Sequence, residues 1–237
     1  MRRTKLVPHH MLGGAETATW LDVAVGLKCV GDFGPSLKAR ALGFPSRPDA
    51  AIYPRPMGTL PEPFAGWFAA RGWAPRPHQM ALVEAAEAGR SVLLVAPTGG
   101  GKTLAGFLPS LIDLHRDPRP DGAGALHTLY VSPLKALAVD IARNLDAPVS
   151  EMGLPVRIET RTGDTPQNRR ARQRESPPNL LLTTPESLAL LLSQPEAGAF
   201  FGGLRAAVVD EVHALAGTKR GDQLALCLSR LATLAPA

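Results

Sequence analysis

With 237 residues, 45% of them apolar and 20% charged, the chain is long enough to bury a sizeable core, which excludes a purely disordered, charge-rich segment. The net charge of +5 and the pI of 9.6 permit a polyanionic partner without demanding one. Two cysteines, Cys29 and Cys227, stand far apart without CxxC spacing, so no disulfide framework or zinc site is expected and a reducing cytoplasm is the default location.

The start Met1-Arg2-Arg3 is basic, but the apolar stretch that follows, Trp20 to Val25, is short and carries Asp22. No run reaches the roughly 18 apolar residues of a membrane span, so neither a signal peptide nor a membrane partner is expected. Residues 1–60 hold many Pro and Gly residues, eight Lys/Arg against four Asp/Glu, and no sustained period of 3.6 or 2.0. They read as a poorly ordered N-terminal extension, and Met57 suggests a misassigned start as a plain explanation for it. His9-His10 lies in this stretch without a partner for a metal site.

From residue 61 short apolar runs alternate with amphipathic segments. The pattern predicts helices over Phe64–Ala70 and Pro77–Ala88, the second with Pro near its start and Gly89 as its stop. Ser91–Ala96 is a buried strand, followed by a helix from Lys102 that Pro109 kinks. Strands are expected at Leu129–Ser132, Val156–Glu159, Leu180–Thr183 and Arg205–Asp210. Between and after them fall helices from Leu134, from Pro166 at a first helical position, from Pro185 to Leu192, and from Gln223 to Leu234. Apolar strands alternating with helices predict an α/β fold, a mostly parallel sheet covered by helices on both faces. Trp67, Phe68 and Trp73 read as core residues, with one aromatic left as a candidate cover for a nucleotide base.

Ala96-Pro-Thr-Gly-Gly-Gly-Lys-Thr103 has the form of a Walker A loop between a buried strand and a helix. Pro97, Thr98, Gly99, Gly100 and Gly101 let backbone N–H groups curl around an anion, helped by the positive helix end. Lys102 reaches β/γ-phosphates in such loops, and the Thr103 hydroxyl ligates Mg²⁺. Val208-Val-Asp-Glu-Val-His213 is the matching Walker B strand: Asp210 serves the Mg²⁺ shell and Glu211 orients the attacking water. Each motif alone is weaker than the pair, which sits on two predicted parallel strands.

With these motifs in place, the chain resembles the first RecA-like domain of a superfamily 2 DExH-box helicase. Asp-Glu-Val-His is the DExH box, and Arg76-Pro-His-Gln79 resembles the family's adenine-reading segment, with Arg76 and Gln79 as nucleotide contacts. Tyr130–Leu137 resembles a strand-gripping motif that holds Ser132, Pro133, Leu134 and Lys135. Thr162-Gly-Asp164 and Thr183–Ser187 resemble the next ones, which bring Gly163, Asp164, Thr183, Thr184, Pro185 and Glu186. His213–Gly221 is similar to the Lhr group, which includes the DNA-ligase-associated helicases and implies a DNA-repair setting. The likeness covers residues 62–237 and implies a RecA-like P-loop NTPase domain over 61–237 with ATP and Mg²⁺ as cofactors and single-stranded nucleic acid, DNA favoured, as partner. It also implies that His213 couples the nucleotide site to a neighbouring domain.

The resemblance implies a C-terminal truncation as well, since the family's next motif and the second RecA-like domain with its arginine fingers do not follow Ala237. A chain of this kind is expected to be inactive alone. Two other readings stay open: a non-catalytic nucleic-acid-binding remnant, and a different P-loop translocase. The four arginines over 169–174 read as a solvated helix face.

Overall fold

Alternation along each strand decides which layer its side chains join. The computed structural model describes residues 59–96, 99–119 and 125–235, together with the backbone of two short strands at 5–8 and 22–27. In chain order these strands are β1 (Lys5–Pro8) and β2 (Asp22–Leu27), followed by helices α1 (Phe64–Ala70) and α2 (Pro77–Glu87) and strand β3 (Val92–Val95). Next come α3 (Lys102–Arg116), β4 (Thr128–Val131), α4 (Lys135–Glu151), β5 (Ile158–Arg161), α5 (Gln167–Glu175) and β6 (Leu180–Thr183). The chain continues through α6 (Pro185–Leu192), α7 (Ala197–Phe201), β7 (Ala206–Asp210), α8 (Val212–Leu215) and α9 (Lys219–Leu234).

The strands form one sheet in the order β1-β3-β2-β7-β4-β6-β5. β1 pairs antiparallel to β3, and the remaining pairings are parallel. On one face Tyr130 of β4, Leu180 and Leu182 of β6 and Val208 of β7 pack against α1, α3 and α4 through Phe64, Phe107, Leu111, Ile141 and Leu145. On the other, Leu129, Val131, Leu181 and Val209 meet Leu188, Leu191, Phe201, Leu224 and Leu231 of α6, α7 and α9. Every residue of β4 and β6 is therefore buried, and these strands read as continuous apolar runs. Each fully buried leucine, such as Leu182, contributes about 1.5–3 kcal/mol relative to exposure. The expected α/β sandwich is the fold.

Several boundaries differ from the sequence pattern. Two segments of the N-terminal stretch pair into the sheet, β1 at its edge and β2 between β3 and β7, so these two do not stand apart from it. At four and six residues they are too short for a period to register, and backbone pairing needs none. β5 begins at Ile158 rather than Val156, because the Arg157 N–H donates to Asn179 Oδ1 (2.8 Å) and not to a strand. α5 begins at Gln167, with Pro166 as its cap. α9 begins a turn earlier than Gln223, since the Thr218 hydroxyl accepts from the Gly221 N–H (3.1 Å). Of the three aromatics expected in the core, Phe68 is buried, but Trp73 is 57% exposed and lies edge-on to Trp67. His9 and His10 fall outside the described residues. Among the described residues no helix is long and apolar enough to cross a membrane.

Candidate functional site

Because β3, β7, β4, β6 and β5 run the same way, their C-terminal ends open along one edge of the sheet. Among the described residues, the loops leaving that edge are, in order, those after Val95, Asp210, Val131, Thr183 and Arg161. Every sequence-predicted segment except Arg76–Gln79 leaves from this edge, where open α/β sheets bind ligands. With strands about 4.8 Å apart, the three strand steps from β7 to β5 span about 14 Å.

At the β3 end, Gly99 (φ +75°) and Gly101 (φ +73°) take left-handed conformations, and Gly101 caps α3. A Cβ on Gly101 would lie 3.1 Å from Gln79 Nε2, so this turn needs glycine for both reasons. Lys102 donates to the Ala96 carbonyl (3.0 Å), bending its ammonium over the loop, and Thr103 is exposed in the first turn of α3. Gly100 is buried. Pro97 and Thr98 lie outside the described residues. Gln79 is 3% exposed; its Oε1 accepts from the Arg76 N–H (2.8 Å) and its Nε2 donates to the Gly101 carbonyl (3.4 Å). Arg76 and Gln79 are thereby brought against the glycine turn, although they come from the start of α2.

At the β7 end, the Asp210 carboxylate accepts from the Glu211 N–H (2.8 Å) and from the Tyr130 hydroxyl (2.6 Å). Glu211 has φ +49° and ψ +39°, an unusual backbone state for a non-glycine residue that costs about 1–2 kcal/mol. That strain turns the chain sharply into α8 and brings His213 Nδ1 within 3.2 Å of Glu211 Oε2. Asp210 and the Thr103 hydroxyl are hard oxygen donors. Among the described residues no cluster of three or more His, Cys, Asp or Glu side chains that could hold a metal ion exists.

The next three loops divide into buried and exposed halves. Ser132, Pro133, Thr183, Thr184 and Pro185 are buried, and the serine and threonine hydroxyls among them serve the fold. Thr183 Oγ1 donates to the Arg161 carbonyl (2.6 Å), and Thr184 Oγ1 caps α6 at the Ser187 N–H. Leu134, Lys135, Gly163, Asp164 and Glu186 form the exposed rim. Lys135 Nζ binds Asp164 Oδ1 (2.8 Å), joining two of the loops, and a Cβ on Gly163 would lie 3.2 Å from Lys135 Nζ.

Four further residues contribute without standing out as site residues in the sequence, although Tyr130, His78 and Arg220 lie within the motif segments. Tyr130 is 1% exposed in an apolar strand; its hydroxyl was the signal, since a buried phenol must find a partner. Burial, with Asp210 next, holds its proton far above the usual phenol range. His78 is buried, and burial lowers its pKa below the ordinary histidine value. Arg170, expected on a solvated face, donates to the carbonyls of Thr162 (3.1 Å), Gly163 (2.6 Å) and Thr165 (2.7 Å), clamping the third loop. Arg220 donates from Nε to Glu186 Oε1 (2.5 Å) and through a terminal nitrogen to the Pro133 carbonyl (2.8 Å). Its guanidinium holds the Glu186 carboxyl below its usual pKa.

Comparison with known proteins points the same way. The profile of the DEAD/DEAH box helicase family matches residues 76–236. The Lhr helicase of Mycolicibacterium smegmatis is 44% identical over 186 residues, covering 74% of this chain and 12% of that protein. The Lhr helicase/uracil glycosylase of Escherichia coli is 39% identical over 200 residues, covering 76% and 13%. The solved structure of Mycobacterium smegmatis helicase Lhr bound to ssDNA and AMP-PNP superposes with a TM-score of 0.68 at 43% identity, covering 78% of this chain and 24% of that one. The chain thus spans a small part of the length of the relatives it matches.

Proposed function

The chain belongs to the DEAD/DEAH box helicase family, and we propose that it forms the ATP-binding and strand-gripping half of an Lhr-like helicase or translocase motor. The single row of loops along one sheet edge supports this most, with the glycine turn and acidic strand end at one side and the three strand-facing loops beside them. Lys102 and the backbone N–H groups of Gly99, Gly100 and Gly101 would hold the phosphates, with Pro97 and Thr98 completing the loop and Arg76 and Gln79 meeting adenine. Thr103 and Asp210 would hold Mg²⁺, which when bound neutralises phosphate charge. Glu211 would place the attacking water, and His213, paired to it at 3.2 Å, would carry the nucleotide state towards a second domain. Ser132, Pro133, Leu134, Lys135, Gly163, Asp164, Thr183, Thr184, Pro185 and Glu186 would line the path of the strand.

The named relative bound to ssDNA and AMP-PNP motivates the same ligand pair here, with DNA favoured. Full turnover would require a second RecA-like domain bringing positive charge to the γ-phosphate from the far side, a contribution of about 10³–10⁵ in rate. Residues 61–237 would be the functional unit, acting in the reducing cytoplasm that two isolated cysteines suit.

Lys102→Ala tests the reading. Titrations of labelled AMP-PNP with magnesium and of a labelled oligothymidylate should show nucleotide affinity falling by more than about tenfold, with strand affinity changed by less than about twofold. Equal losses at an unchanged thermal midpoint would refute two separate sites. A strand affinity that ignores nucleotide in the wild type would favour a pure binding module.

A further inference from the structure

Arg220 touches two loops that lie far apart in sequence. Its Nε donates to Glu186 Oε1 (2.5 Å), and one terminal nitrogen donates to Glu186 Oε2 (3.2 Å) and to the Pro133 carbonyl (2.8 Å). Pro133 belongs to the turn after β4 and Glu186 to the first turn of α6 after β6. The guanidinium fork thus spans two neighbouring loops of the strand-facing row, a geometry that a lysine cannot reproduce.

The backbone beneath Arg220 is locked to the acidic end of β7. From Asp210 the chain passes through strained Glu211 and the short α8 into Thr218. The Thr218 hydroxyl donates to the Leu215 carbonyl (2.7 Å) while accepting from the Gly221 N–H (3.1 Å). At Gly221 a Cβ would lie 2.2 Å from the Leu215 carbonyl oxygen, so the end of α8 and the start of α9 are in backbone contact. Arg220 stands between these two fixed points. A displacement of Glu211 therefore reaches the guanidinium through about ten residues of tightly bonded chain rather than through a flexible loop.

Energetics favour registration over stability. The Arg220 and Glu186 side chains are 43% and 50% exposed, and such pairs contribute about 0–1 kcal/mol to folding. Three hydrogen bonds drawn from two loops, at so little cost in stability, suit a link that can shift between two arrangements.

We propose that Arg220 is a positioning residue that holds the turns at Ser132–Lys135 and Thr184–Ser187 in mutual register and ties both to the Asp210–Glu211 end, so that nucleotide occupancy alters strand affinity. This rests on the site reading above for the identity of the two ligands. The tie between the loops does not depend on that reading and can be measured without ligand.

The experiment has two arms on the full chain. In the first, backbone hydrogen exchange of the unliganded protein compares wild type with Arg220→Ala. Faster exchange at Leu134, Lys135 and Ser187, with the β4 and β6 strand amides unchanged, is expected; equal exchange at those turns overturns the tie whatever the ligands are. In the second, affinity for a labelled oligothymidylate is measured with and without AMP-PNP and magnesium. Arg220→Ala should bring the ratio of the two affinities to about one, while AMP-PNP affinity stays within about twofold; the wild-type ratio is expected to be about fivefold. Arg220→Lys should resemble the alanine variant, and Glu186→Gln should lose only part of the ratio because the Pro133 contact remains. A ratio that survives Arg220→Ala, or one that is absent in the wild type, overturns the coupling. Absence of any strand binding by the wild type overturns the site reading as well, and the exchange arm separates the two failures.

Discussion

Replacing Tyr130 with phenylalanine removes one hydroxyl and keeps the rest of the side chain. The ring is 1% exposed and stacks on Phe107 with centroids 5.4 Å apart, so burial and packing survive. What is lost is the 2.6 Å hydrogen bond to Asp210 Oδ2. A hydrogen bond to a charged group contributes about 1.5–3 kcal/mol net. Asp210 is half-buried and water can reach the vacated oxygen, which places the expected loss at about 1.5 kcal/mol. For a chain of this size about 1 kcal/mol moves Tm by 2–4 °C, so Tyr130→Phe should lower Tm by about 3–6 °C. In urea the midpoint should fall with the slope unchanged, because the surface exposed on unfolding is the same. The pH dependence gives a second check. In the fold the phenol keeps its proton above the ordinary value of 10.0, with burial as the first cause and the Asp210 charge as the second. A raised pKa stabilises the fold fully below the unfolded value and loses that contribution as pH rises beyond it. The stability gap between wild type and Tyr130→Phe should therefore narrow above about pH 10. An unchanged midpoint at neutral pH, or a gap constant between about pH 8 and about pH 11, would refute a hydroxyl that holds Asp210.

Two glycine substitutions separate conformation from contact. Gly99→Ala and Gly101→Ala both place a side chain at positive φ, a cost of about 1–2 kcal/mol each, but only at Gly101 does the new Cβ press on Gln79. Urea denaturation should show Gly101→Ala as the more destabilised by about 1 kcal/mol; equal losses would mean that Gln79 moves aside freely. Gly221→Ala forces a Cβ to 2.2 Å from the Leu215 carbonyl oxygen and should cost at least about 2 kcal/mol by the same measurement, and a loss below about 0.5 kcal/mol would show that α8 and α9 are not held together.

The parts legible in the sequence are those whose physics is local. A glycine run between an apolar strand and a helix, and an acidic pair at a strand end, are set by neighbours a few residues away, so Lys102, Thr103, Asp210 and Glu211 stand out as candidates in the sequence alone. The period of the apolar runs likewise sufficed for a parallel sheet with helices on both faces, because β4 and β6, buried along their whole length, are apolar apart from Thr128 and Thr183. Tertiary structure decided the rest. Which strands are neighbours is a matter of long-range pairing, and only the order β7-β4-β6-β5 sets the three outer loops in one row. β1 and β2 joined the sheet through backbone hydrogen bonds, which leave no period in four to six residues. The partners of Tyr130, Arg170 and Arg220 are 80, 5–8 and 34–87 residues away, and nothing in the type or spacing of an arginine tells a solvated charge from a clamp on carbonyls. Side-chain chemistry states what a residue can bind; the fold alone states what stands within reach of it.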